Sequence, residues 1–150
     1  MTIGQVIIDL TAHLNNIPTR IQEIPAEELL QKPAPGKWSK KEILGHLIDS
    51  AINNLKRFVD AQHFPQPYTV QRYLQDHCVV ANRYNDLPLD HLLLLWKSLN
   101  QQIVYVISGI TADKLAYAII TPSGEHHTLE WLITDYLEHM DHHWGQVFGE

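Results

Sequence analysis

The chain lacks several features that would assign it to a particular class of protein. It has one cysteine, Cys78, among 150 residues, which excludes an internal disulfide framework and fits a reducing compartment. No apolar run is long enough to span a membrane, and the N-terminus has neither the basic start nor the cleavage site of a signal peptide. These absences predict a cytoplasmic protein.

Positive charge is also scarce. The 11 Lys and Arg residues against 17 Asp and Glu residues give a formal net charge of −6, and no basic cluster is present. Because affinity for nucleic acid rests mainly on neutralising phosphates, this composition argues against a nucleic-acid partner. The chain also lacks a glycine-rich phosphate loop and a Gly-x-Ser-x-Gly nucleophile motif. A small molecule is therefore the partner we expect.

Four long amphipathic patterns predict helices over about residues 3–21, 39–62, 88–109 and 128–148, the first ending at Pro18 or soon after it. No run of alternating residues predicts a β-strand. We therefore expect one all-α domain over residues 1–150, a four-helix bundle. The long connections before the third and fourth helices argue against a simple up-down-up-down order. The expected core includes Leu10, Ile48, Leu92, Trp96, Leu99, Ile103 and Leu137.

Histidine is the over-represented residue, with ten in the chain. His139 and His143 are four residues apart within the fourth predicted helix, so their side chains stack on one face. Two imidazoles placed in this way can bind one cation, and imidazole suits zinc, nickel, copper and iron. The alternative is a pair of ordinary histidines, each bonded to a carbonyl group. His142 is a local rival, but it points about 100° away from His143.

The second predicted helix carries a polar stripe beside its main apolar face. The stripe consists of His46, Asp49, Asn53 and Arg57. One interpretation is a solvated helix face, which is the common role of such a stripe. The other is that the stripe lines a polar cavity, because Ile43 and Leu47 flank it with apolar surface.

A set of short motifs runs through the chain in a fixed order. The motifs are Pro35-Gly36-Lys37-Trp38-Ser39, Gly45-His46-Leu47-Ile48-Asp49-Ser50, Asn54 with Arg57, the approach to the third helix over residues 82–88, Leu95-Trp96, and Asp135-Tyr136 leading into His139-x-x-x-His143. In this order the chain resembles the DinB/YfiT-like proteins, a four-helix-bundle superfamily regarded as metalloenzymes. The resemblance covers nearly the whole chain.

The resemblance implies a bundle with crossover connections and a divalent metal ion, zinc or nickel, held by His46, His139 and His143. Some relatives transfer low-molecular-weight thiols, and others are isomerases or hydrolases. We therefore expect a thiol or water to be activated for transfer to, or hydrolysis of, a small electrophile, in a protein that forms homodimers. The alternative is a non-catalytic stress-response module that binds a metal or another ligand.

Five further residues are candidates for supporting roles around this site. Histidines that bind a metal usually donate their second N–H to a carboxylate or carbonyl group, and Asp49 and Asp135 lie one helical turn from His46 and His139. Asn53, Asn54 and Arg57 could orient a carboxylate or phosphate of the substrate. The alternative for all five is ordinary polar helix surface. No residue is identified as a catalytic acid, base or nucleophile.

Overall fold

The computed structural model describes residues 1–150. Its four long helices are α1 (Ile3–Gln22), α3 (Lys40–Asp60), α5 (Leu89–Ser108) and α7 (Leu129–Phe148). The short helices are α2 (Ala26–Leu30), α4 (Gln75–Asn82) and α6 (Ala112–Leu115), with one 3₁₀ turn over Tyr84–Asp86. None of the helices has both the length and the apolar character needed to cross a membrane.

Local signals in the sequence account for most of the helix ends. Ser39 and Glu42 form a capping box at the start of α3, with hydrogen bonds of 3.1 and 3.0 Å. The Thr128 hydroxyl caps α7 by accepting the N–H of Trp131. Pro18 does not end α1, which continues to Gln22 because Ile17 and Ile21 remain buried against the core on either side of it.

The four long helices form a ring in which α3 and α1 each pack against both α5 and α7. Helices α1 and α3, which are consecutive long helices in the chain, therefore lie on one diagonal of the bundle. This arrangement requires long crossover connections and confirms the expected four-helix bundle. One contiguous apolar core fills it. The predicted core residues Leu10, Ile48, Leu92, Trp96, Ile103 and Leu137 are fully buried, and Leu99 is partly buried.

The absence of β-structure predicted from the sequence is wrong. Three short strands, β1 (Tyr68–Thr69), β2 (Ala118–Ile120) and β3 (His126–Thr128), form a sheet in the order β1-β2-β3. β1 is parallel to β2, and β2 and β3 form an antiparallel hairpin. Strands of two or three residues are too short to show an alternating pattern. The sheet joins the two long connections and leaves the bundle as the main architecture.

A tyrosine packs against the backbone of α3 next to His46. The ring of Tyr84 lies where Gly45 has no side chain, and a Cβ added to Gly45 would lie 2.0 Å from that ring. The position also lets the Tyr84 hydroxyl donate to Asp49 Oδ1 at 2.5 Å. Burial raises the pKa of Asp49, against the opposing effect of the Tyr84 hydrogen bond. Gly45 is therefore required by close packing rather than by its backbone conformation.

Gly45→Ala should destabilise the protein by about 1–3 kcal/mol, because the added methyl group overpacks a buried ring that is held by its hydroxyl. Gly4→Ala is the matched control. Its Cβ would meet only Thr2 Oγ1 at 3.8 Å, so the usual helical preference for alanine should stabilise α1 slightly. Urea unfolding of both variants measures the difference, and a stabilised Gly45→Ala variant would contradict the packing argument.

Candidate metal centre

The structure brings together His46 of α3 and His139 and His143 of α7. Helices α3 and α7 pack against each other, and the three histidines lie at the contact between them. His46 is completely buried, whereas His139 and His143 are half-buried. The spacing of four residues between His139 and His143 places their rings on one side of α7, as the sequence predicted.

The three rings approach one another through the same ring atom. Nε2 of His139 lies 3.2 Å from Nε2 of both His46 and His143. One nitrogen atom from each of the three rings lies within 4.8 Å of the others. A tetrahedral zinc ion with Zn–N bonds of 2.0–2.1 Å separates its ligand nitrogens by about 3.4 Å. The spacing of the donor atoms therefore fits a single cation.

The protonation state of the rings fits a metal as well. Burial, followed by the charges of His143 and His139, lowers the pKa of His46 to about 3. Burial and the neighbouring histidines also lower the pKa of His139 to about 4. Burial lowers the pKa of His143, although its hydrogen bond to Gln146 acts in the opposite direction. All three rings are neutral at pH 7, and a neutral imidazole is the form that binds metals.

Two residues that the sequence reasoning did not assign to the site contact these rings. Oε1 of Gln146 lies 2.8 Å from Nδ1 of His143, and the ring of Trp38 lies over His46 with centroids 4.7 Å apart. Gln146 follows His143 by three residues, which places it on the same helix face, so its spacing could have identified it. Trp38 lies just before α3, and nothing in its sequence position indicates that it covers a histidine.

A cavity of about 760 Å³ opens beside the histidines, and His139 forms part of its wall. Helices α3 and α7 line one side, and the segments 72–77 and 122–123 line the other. The lining residues are Ser50, Asn54, Arg57, Arg72, Tyr73, Leu74, Gln75, Asp76, His77, Pro122, Ser123, Asp135, Tyr136 and His139. The site therefore combines three converging histidines with a polar cavity large enough for a small molecule.

The residues of α3 that line this cavity differ from the polar stripe predicted from the sequence. Ser50, Asn54 and Arg57 line the cavity, and they follow His46 by four, eight and eleven residues. Asn53 instead lines a smaller neighbouring cavity of about 430 Å³ and donates to the backbone carbonyl of Asp49. Asn53 therefore lies outside the main cavity, although it is only about 20° from His46 around the helix. The main cavity opens on the other side of His46, where Ser50 and Asn54 lie at about 40° and 80°.

Neither carboxylate predicted to support the histidines bonds to one. Asp49 accepts hydrogen bonds from Tyr84 and Asn82, and Nδ1 of His46 is buried without a partner. Asp135 lines the cavity but makes no hydrogen bond to His139. Helical spacing alone brings Asp49 near the face of His46 and Asp135 near the face of His139. A hydrogen bond also requires the carboxylate to point toward the ring, and spacing does not determine that direction.

The remaining candidates lie outside the group of three. His142 is exposed, contacts Gln146 and the edge of the His143 ring, and is not among the three histidines whose nitrogens converge. Tyr136 is part of the cavity wall, and its hydroxyl donates to Asn100 at 2.6 Å. Cys78 is a free thiol whose pKa is raised by burial, the opposite of what activates a nucleophile.

The fold recurs in known proteins. The structure of YfiT from Bacillus subtilis, provisionally described as a metal-dependent hydrolase with an unusual four-helix bundle topology, matches with a TM-score of 0.82 at 20% identity, over 97% of this chain and 81% of that one. A mycothiol-dependent maleylpyruvate isomerase matches with a TM-score of 0.72 at 10% identity, over 99% of this chain and 60% of that one. At these identities the likeness shows the fold.

Sequence comparison identifies the family. A protein of Halalkalibacterium halodurans, provisionally named a metal-dependent hydrolase, is 25% identical over 141 residues, which is 94% of this chain and 80% of the relative. The model of the DinB superfamily matches residues 9–147. Because this match covers nearly all of the bundle, from α1 to the last turn of α7, the chain belongs to the DinB superfamily.

Proposed function

We propose that this protein is a divalent-metal-dependent enzyme that acts on small molecules, by hydrolysis or by transfer of a thiol. One observation carries the proposal: three neutral histidines converge on one point, and one of them lines a cavity of about 760 Å³. The group contains no fourth protein ligand. Three ligands with an open position are typical of catalytic zinc sites, whereas structural sites have four.

His46, His139 and His143 would hold the metal. Three imidazoles suit zinc, nickel, copper or iron, and we propose zinc or nickel because the family resemblance implies them. A divalent ion there would supply Lewis-acid chemistry, lowering the pKa of a water or thiol or polarising the substrate. The names of the relatives support both reactions, because two are hydrolases by name and the isomerase is mycothiol-dependent.

The chain's own residues prepare this site in two ways. Oε1 of Gln146 accepts a hydrogen bond, so the proton of the neutral His143 ring lies on Nδ1 and the lone pair of Nε2 faces the other two histidines. Burial by Trp38 and the bundle core keeps His46 neutral and fixed. The cavity admits the substrate beside His139, and the buried Tyr136 forms part of its wall.

His143→Ala should abolish metal binding and every metal-dependent activity, because two histidines are left to hold the ion. His142→Ala is the matched control, since its ring neighbours His143 but lies outside the group. Elemental analysis of untagged protein measures metal binding, a screen of thiol conjugation and hydrolysis measures activity, and circular dichroism checks that the helical fold survives. Full activity in metal-stripped protein or in His143→Ala would contradict the proposal. Bound metal with no turnover in any assay would favour the non-catalytic binding module.

Gln146→Ala should weaken metal binding by about tenfold, at the low end of the range for residues that orient a ligand, because Gln146 is exposed. The variant frees the His143 ring to adopt the other tautomer. Gln102→Ala, on the exposed surface of α5, is the control. Competition with a chromophoric chelator measures both affinities. Equal affinities for wild type and Gln146→Ala would show that the hydrogen bond does not orient the ring.

The metal-free protein should lose stability as the pH falls below about 6.5. In the unfolded chain histidine takes up a proton near that pH, whereas folded His46 remains neutral down to about 3. The unfolded state then binds more protons, so the free energy of unfolding decreases with decreasing pH. Urea unfolding between pH 7 and 5 should show a shallower decrease for His46→Gln than for wild type or for His91→Gln at an exposed site. Identical slopes in all three proteins would contradict the neutral state of buried His46.

A further inference from the structure

A row of polar side chains leads along α3 from the histidine group to a guanidinium group. His46, Ser50, Asn54 and Arg57 follow one another at spacings of four, four and three residues, which keeps them on one face. The last three line the main cavity together with His139. The row therefore connects the histidines to Arg57 along one wall of the same cavity.

Arg57 forms no ion pair with a carboxylate, and Asp135 acts on its charge only from a greater distance. Its Nη2 donates to the backbone carbonyl of Gln71 at 2.6 Å, and its Nη1 makes a long contact of 3.4 Å with Oδ1 of Asn54. Both acceptors are neutral. Other cations of the chain do pair with carboxylates: Arg20, Lys32, Lys40 and Lys56 each form an ion pair, and none of the ion pairs involves Arg57.

The surroundings hold this guanidinium in place and partly remove it from water. Its carbon atom Cζ lies 5.5 Å from the centre of the Tyr73 ring, and burial lowers the pKa of Arg57. A guanidinium group has five N–H donors, of which the two contacts above occupy two. A desolvated, oriented cation with free donors in a cavity wall is suited to bind an anion with planar geometry.

The length of α3 between the two ends sets the size of the ligand. His46 and Arg57 are separated by eleven residues, which corresponds to about 16 Å along the helix at 1.5 Å per residue. A ligand that reaches both ends must therefore be elongated, with its charged group remote from the histidines.

We propose that the cavity binds elongated small molecules that carry a carboxylate, which Arg57 holds while the reacting group lies at the His139 end. The position of the reacting group rests on the proposed function; the carboxylate site does not require the metal. A carboxylate fits better than a phosphate because Asp76 and Asp135 also line this cavity and offset the charges of Arg57 and Arg72, so the lining has no excess positive charge to favour a dianion. Their negative charges would oppose a dianion more strongly than a monoanion.

The test uses metal-stripped protein and two series of molecules, ω-mercaptoalkanoic acids and ω-mercaptoalkanols of graded and matched chain length. Titrations followed by the amide NMR signals of the cavity residues give the dissociation constants. The acids should bind about tenfold or more tightly than the alcohols, because their carboxylate forms a charge-assisted hydrogen bond with Arg57 that the alcohols lack. Arg57→Gln should remove this preference without changing the weak binding of the alcohols. Lys97→Gln, at an exposed site on α5, should retain it.

Three results would overturn the carboxylate site: no saturable binding of the acids by stripped wild-type protein, equal binding of acids and alcohols, or an unchanged preference in Arg57→Gln with native circular dichroism. Tighter binding of alkyl phosphates than of the acids would reject the carboxylate as the ligand class. Addition of zinc separates this inference from the proposed function. If zinc fails to tighten binding of the thiol probes, the metal proposal fails, while the acid preference measured without metal still supports the Arg57 site.

Discussion

Three neutral imidazoles meeting inside the bundle are the constraint on which the rest of the site depends. Their Nε2 atoms lie 3.2 Å apart along the two shorter contacts, which requires α3 and α7 to keep a fixed register. Burial and mutual repulsion keep the rings unprotonated. An uncharged ring with a free lone pair is costly to bury unless it has a partner, and a single cation would provide that partner for all three rings.

The two long connections of the chain complete the site that the helices begin. Parallel pairing of β1 with β2 joins the segment after α3 to the segment before α7. The turn between β2 and β3 contributes Pro122 and Ser123 to the cavity wall, and the segment 72–77, which follows β1, contributes the opposite part. The bundle therefore positions the histidines, while the crossover segments, tied together by the small sheet, enclose the space in which a substrate would lie.

The sequence predicted the parts of the site that depend on spacing within a helix. The pair of histidines on α7 and the starts of α3 and α7 near residues 39 and 128 are local patterns, and the structure contains all three. The sheet, the position of Asn53 outside the main cavity and the hydrogen bonds of Asp49 were not predictable in this way. They depend on strands too short to show a period, on the side of His46 on which the cavity opens, and on a tyrosine that packs over Gly45 from a distant segment.

The central claim is that His46, His139 and His143 bind one metal ion, and X-ray absorption spectroscopy of protein purified without a nickel column tests it most directly. The account predicts one zinc or nickel ion per chain and the multiple-scattering pattern of imidazole ligands, weakened in His46→Ala, His139→Ala and His143→Ala alike. A protein that binds no metal when either ion is supplied, or an ion whose imidazole signal persists in all three variants, would contradict it.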